Sequence, residues 1–193
     1  MKHKILEADI LSDTDYQARR KELRAEAIAM KKNRRVEVGP FATFYFESYQ
    51  TMWLQVHEML RIEKGGRDQI AGELEAYNPL IPQGSELIAT LMLEIEDAER
   101  RDKTLRMLGN IEESAFLDIG GERIKGAPTE YEDRTTPQGK TSSVHWLRFT
   151  FTPEQIADFE GGAAAVLGFS HPNYGHMAVI PPQVRAELAK DFA

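Results

Sequence analysis

Twice in its second half the chain switches from strand-like to helix-like periodicity and back, and this pattern constrains the fold more than any other feature of the sequence. Leu87 to Ile95 reads as a strand, Ala98 to Leu108 as a helix and Ser114 to Ile119 as a strand. Ser143 to Phe151 is again a strand. Thr152 then caps a helix from Pro153 to Phe159, with proline at the first helical position, and Ala163 to Phe169 is a strand. Two βαβ units in series predict a ferredoxin-like, split-βαβ arrangement over residues 86–170. An exposed edge in such a sheet predicts a homodimer seam.

The first half predicts helices around a short hairpin. Ser12 or Asp13 caps a helix running to about Lys32, with Tyr16, Leu23, Ala27 and Met30 as its apolar stripe and Asn33 as a left-handed end. Arg35–Val38 and Ala42–Glu47 flank Gly39-Pro40 as two strands around a turn. Ser48 to Glu63 carries Met52, Trp53, Val56, Met59 and Leu60 at helical spacing. Gly65-Gly66 ends that helix, a shorter one runs from Arg67 to about Ala76, and Asn78 to Gly84 is a stiff loop. Between the two βαβ units, Gly120 to Thr141 predicts a hairpin and a long loop. Gln183 to Phe192 forms a terminal helix.

These elements make one α+β domain over 1–193, with mainly antiparallel strands. Residues 1–84 form its helix, hairpin and helix part, and 85–193 its βαβ-repeat part. A length of 193 residues, with 41% hydrophobic and 28% charged residues, supports a single globular core.

Cysteine is absent, so the chain itself offers no disulfide, no thiolate nucleophile and no cysteine-ligated iron–sulfur cluster. No cofactor is expected. Acidic Glu7 and Asp9 interrupt the run a secretory signal needs, and the longest apolar stretch, Ala163 to Phe169, is far short of the ~20 residues that span a bilayer. A cytoplasmic protein without membrane attachment is expected. A net charge of −7 argues against nucleic acid as a partner. The basic residues are nonetheless concentrated between Arg19 and Arg35.

Several constellations are chemically capable. Thr51, Gln55 and Glu58 share a helical stripe, with Arg61 one turn on, and such a row lines a polar groove or is a solvated face with a Glu58–Arg61 ion pair. His145 alternates with Leu147, Phe149 and Phe151, either as a general base beside a carboxylate or as a hydrogen-bonded core residue. His171-Pro172-Asn173-Tyr174-Gly175-His176 is a turn with two imidazoles and a phenol. As a metal site it needs ligands from elsewhere, such as His57, Glu58 or His145. Lys31-Lys32-Asn33-Arg34-Arg35 suits an anion or an acidic protein surface, and Arg148 suits an anionic substrate. The sequence contains no P-loop, dinucleotide fingerprint, nucleophile elbow or His-Glu-x-x-His motif.

Four segments together resemble a bacterial domain of unknown function family, DUF3501. They are Lys31 through Pro40, Glu58 to Glu63, Tyr77 to Pro82, and Lys140 through Phe149; His171-Pro172 and Tyr174 fit as well. The resemblance implies neither a reaction nor a catalytic residue. It implies a genomic setting beside a rubrerythrin-like di-iron protein and an iron–sulfur oxidoreductase. The first expectation is therefore an accessory protein of an oxidative-stress or electron-transfer module, acting through protein contacts, with Arg34 and Arg35 in a basic docking segment. A second is an enzyme whose pocket gathers Glu58, Arg61, His145 and His171. A third is a metal site built on His145 and His171.

Overall fold

A computed structural model describes residues 2–129 and 134–193. Six α-helices accompany nine strands among them: α1 (Asp13–Lys31), β1 (Arg35–Val38), β2 (Ala42–Phe46), α2 (Tyr49–Glu63), α3 (Arg67–Tyr77), β3 (Glu86–Leu93), α4 (Ala98–Met107), β4 (Ala115–Ile119), β5 (Glu122–Lys125), β6 (Ala127–Pro128), β7 (Val144–Thr150), α5 (Pro153–Gly161), β8 (Ala165–Phe169), β9 (Met177–Val179) and α6 (Pro182–Leu188). The chain is an α+β protein, and its strand pairs are antiparallel throughout.

The strands form two sheets, one ordered β1-β2-β3-β7-β6 and the other β5-β4-β8-β9. Their facing sides supply the main core, in which Val36, Phe44, Leu91 and Phe149 of the first sheet join Leu117, Leu167 and Phe169 of the second. Strand alternation decides this: β7 sends His145, Leu147 and Phe149 inward and Trp146 outward. On its other side the first sheet is covered by α2 and the N-terminal segment, where Ile88 and the half-buried Trp146 meet Ile5, Met52, Val56 and Ile81. Covered on both faces, β3 is buried along almost its whole length, which explains its near-continuous apolar run.

The ferredoxin-like arrangement is not what the chain builds. β3 and β7 are neighbours, as that topology requires, but β4 and β8 leave their sheet and pair with each other in the second one. Each helical connection therefore carries the chain between sheets. The physical reason lies in α4, where Leu105 is the one buried residue; a helix without an apolar stripe cannot cover a sheet face as a crossover helix must.

Local stop and start signals act largely as expected. Ser12, Ser48 and Thr152 cap α1, α2 and α5 through their hydroxyls. Two ends differ. Asn33 is not left-handed, and α2 is closed by Lys64 at φ 55° ahead of the two glycines. At the β1–β2 turn, Gly39 has φ 71°, and a Cβ there would stand 2.7 Å from the Tyr174 hydroxyl, so glycine is required on both counts. The hairpin expected after Gly120 is β4–β5; part of the following loop, residues 130–133, lies outside the described residues. Among the described residues no helix is long and apolar enough to cross a membrane.

Candidate functional site

A cleft lies in the helical layer, between the segment leading into α1 and the facing sides of α1, α2 and α3. It has a volume of about 690 Å³. Ile10, Leu11, Leu60 and Ile70 line it with hydrocarbon, and Tyr16 and His57 also face it. On α2 the spacing of His57, Leu60 and Arg61 by three and one residues puts all three on one stripe, and Lys64, the left-handed cap that ends the helix, also lines the cleft.

His57 is spent as a polar group. Its Nδ1–H donates to the Trp53 carbonyl (2.8 Å) and its Nε2 accepts from the Leu11 amide (3.0 Å), which assigns a neutral ring. Burial pushes its pKa down, against a smaller upward pull from the Trp53 carbonyl. The ring also stacks on Trp53 and Tyr16, with centroids at 4.1 and 4.8 Å. His57 thus fixes the segment leading into α1 against α2.

Glu58 is equally committed. It accepts from Arg20 Nε at 2.7 Å, from Arg20 Nη2 at 2.8 Å and from the Tyr16 hydroxyl at 2.5 Å. The Arg20 guanidinium, more than any other group, holds its carboxyl down at about 2. The expected Glu58–Arg61 pair does not form. Nor does the row Thr51, Gln55, Glu58 line a groove: Thr51 is turned inward and donates to Glu47 Oε2 at 2.6 Å, while half-buried Gln55 makes no side-chain hydrogen bond among the described residues.

Arg61 is different. It lines the cleft, its Nε is buried, and that atom has no hydrogen-bond acceptor among the described residues. An unmet buried donor costs about 1–3 kcal/mol. Lys64 and Arg67 lie on the exposed rim, facing Glu7 and Asp13, and Arg67 reaches Glu7 at 3.4 Å.

The remaining sequence candidates sit elsewhere and hold the fold together. His145 is buried between the sheets, with Nε2 2.9 Å from the Ser142 carbonyl and Nδ1 3.6 Å from Glu112 Oε2. His171 bridges its turn, donating from Nε2 to the Gly109 carbonyl (3.1 Å) and accepting at Nδ1 from the Asn173 amide (3.2 Å). Tyr174 donates to the Val38 carbonyl (2.7 Å) and accepts from the Ala42 amide (3.2 Å), tying the β8–β9 connection to the β1–β2 turn. Arg148 reaches Glu86 at 2.9 Å and the Pro79 carbonyl at 3.0 Å, so its charge is already answered.

Three expectations are corrected by this placement. Glu58 and Arg61 lie on the helical side of the first sheet and His145 lies on the opposite face, so the pocket of Glu58, Arg61, His145 and His171 is not formed. His145 and His171 do not join a metal-binding group; among the described residues no three His, Asp or Glu side chains do. Arg34 is no docking residue. Its side chain is 2% exposed, donates to the Phe46 and Glu47 carbonyls at 3.0 and 2.8 Å, and pairs with the buried carboxylate of Asp191. Arg35 is exposed and pairs with Glu37 at 2.9 Å.

Residues 4–192 match the family described as a protein of unknown function, DUF3501. The chain belongs to the DUF3501 family. A crystal structure of a novel protein of unknown function from Burkholderia pseudomallei is similar to this DUF3501 protein, with 37% identity and a TM-score of 0.91 over 98% of this chain and 100% of that one. No curated protein matches it.

The cleft residues that sequence reasoning misses are Tyr16, Leu11 and Ile70, together with Arg20 behind them. The α2 stripe from His57 to Arg61 is open to detection by spacing, but which α1 and α3 residues face it depends on how the helices pack.

Proposed function

We propose that this protein works by binding, as an accessory component of an oxidative-stress or electron-transfer module that docks an acidic redox partner on α1. The observation that carries this reading is the sorting of charge on that helix. Lys21, Arg24, Ile28 and Lys31 follow one another at intervals of three, four and three residues, which makes one strip, and all four are exposed. Asp15, Glu22 and Glu26 fall on the other flank by the same spacing. Ile28, 58% exposed, sits in the middle of the cations, and none of the three cations forms a salt bridge among the described residues. A basic rim around an apolar centre suits a small, charge-steered interface of the kind electron-transfer partners use. Arg35, exposed at the start of β1 beyond the end of the helix, is paired with Glu37 and adds no free charge to the strip.

Two further points support a binding role. The groups expected to do acid–base chemistry are each engaged in separate structural bonds. The cysteine-free chain also cannot hold a cysteine-ligated cluster, so an iron–sulfur oxidoreductase or a rubrerythrin-like protein would carry the electrons.

The test is association with those two partners, measured by stopped flow over a range of ionic strengths. The combined Lys21→Glu, Arg24→Glu and Lys31→Glu variant should slow association at least about tenfold and flatten its salt dependence. An unchanged rate and salt slope, or no association by the native protein, sinks the reading.

A further inference from the structure

We propose that the cleft between α1, α2 and α3 is a binding site for an amphipathic carboxylate, which places its carboxylate on Arg61 and its hydrocarbon against Leu11, Leu60 and Ile70. This is independent of the docking surface on α1.

Size comes first. A cleft of about 690 Å³ falls within the range of roughly 300–1,000 Å³ typical of small-molecule sites. Its walls are mostly hydrocarbon, and the two polar rings facing it offer a ligand little beyond their surfaces. Both nitrogens of His57 are occupied, and the Tyr16 hydroxyl donates its proton to Glu58. A fully polar ligand would lose water there without replacing its hydrogen bonds.

Charge comes second. Arg61 is the group facing the cleft whose buried Nε has no acceptor among the described residues, and a carboxylate is the natural complement of a guanidinium edge. The carboxylates near it do not fill that role. Glu7 is an exposed rim group paired with Arg67, and Asp13 is exposed in the first turn of α1, where the helix dipole favours it. Lys64 brings further positive charge to the rim, and Gly66, which precedes α3, has no side chain to cap that helix start. A guanidinium whose buried Nε has no acceptor among the described residues, set against an apolar wall, selects an anion with one polar end. Inorganic phosphate, which is polar all round, would leave the hydrocarbon walls uncovered.

Isothermal titration of the full chain with octanoate, octan-1-ol, octylamine and inorganic phosphate tests each part. Octanoate should bind saturably and at least about tenfold more tightly than the other three, and Arg61→Gln should bring octanoate down to the level of octan-1-ol. Methyl NMR on the native protein provides a second readout that does not depend on the variant folding. Octanoate should shift Leu11, Leu60 and Ile70 and leave the inter-sheet Leu91 and Leu117 unmoved. Absence of saturable octanoate binding overturns the proposal. So does octylamine or phosphate binding as tightly as octanoate, octanoate binding that survives Arg61→Gln, or shifts confined to other methyls.

Discussion

Arg20 with Glu58 in the helical layer and Arg34 with Asp191 near the end of the chain are the same pair of chemical groups in two environments. The first pair keeps 25% and 19% of its side chains exposed, and the second 2% and 0%. Glu58 is held down at about 2 by the hydrogen-bonded guanidinium, whereas burial drives the Asp191 carboxyl up despite Arg34 beside it. An adjacent arginine therefore does not settle how a carboxyl titrates. Where water still reaches the pair, attraction dominates; where it does not, the cost of desolvation does. The same contrast separates a layer that keeps its polar groups near solvent and encloses a cleft from an edge where ionic groups lock β1, β2 and the C-terminus together.

Removing one member of the enclosed pair should have the largest effect. Arg34→Met leaves Asp191 buried without its counter-charge and the Phe46 and Glu47 carbonyls without their donor, and should cost about 3–5 kcal/mol in urea denaturation. Pairing it with Asp191→Leu should restore much of that loss, and failure to do so would show that the two carbonyl bonds matter more than the charge. A neutral tie gives the scale between the two pairs. Tyr174→Phe removes the hydroxyl shared by the Val38 carbonyl and the Ala42 amide, and should cost about 2 kcal/mol by the same measurement.

The helical pair comes next, and its pH signature is the sharper test. Glu58→Gln should cost about 1–2 kcal/mol at neutral pH. Because the folded carboxyl lies below its ordinary 4.5, that contribution is fully present above 4.5 and is lost as pH falls towards about 2. Asp191 has the opposite sign. Its raised folded value means that its proton-linked contribution is complete below its ordinary 3.8 and declines as pH rises through the folded value. Native-minus-variant stability for Glu58→Gln and Asp191→Asn, followed by denaturation across pH, should therefore slope in opposite directions; parallel slopes would break the comparison. The smallest stability effect belongs to the open surface. The Lys21, Arg24 and Lys31 charge reversals should change unfolding free energy by no more than about 0.5 kcal/mol each while altering partner association.

Much of the local structure is legible in the residues. Ser48 and Thr152 announce helix starts, Gly39-Pro40 announces a turn, and the alternation of β7 sends His145 inward. The alternation Arg34, Val36, Val38 was equally readable and places Arg34 on the buried side. The neighbouring cations of the basic run disguise this, since a buried arginine is tolerable only when its acceptors are known, and those come from Phe46, Glu47 and Asp191. The candidate site was less legible. The histidines that stand out in the sequence, His145 and His171, are structural, and His57, Leu60 and Arg61 acquire meaning only opposite Leu11, Tyr16 and Ile70.

By itself the sequence determines the α+β class, the order and approximate ends of the helices and strands, and the lack of any cysteine chemistry. Capping, turn formation and side-chain alternation are short-range effects, complete within a few residues. Only the tertiary structure decides that the two strand–helix–strand units divide their strands between two sheets, that Arg34 lies inside and Lys21 outside, and that three helices enclose a cleft lined by Arg61, whose buried Nε has no acceptor among the described residues. Those outcomes depend on which apolar faces find each other across the chain, and on where burial leaves a charge with or without a partner.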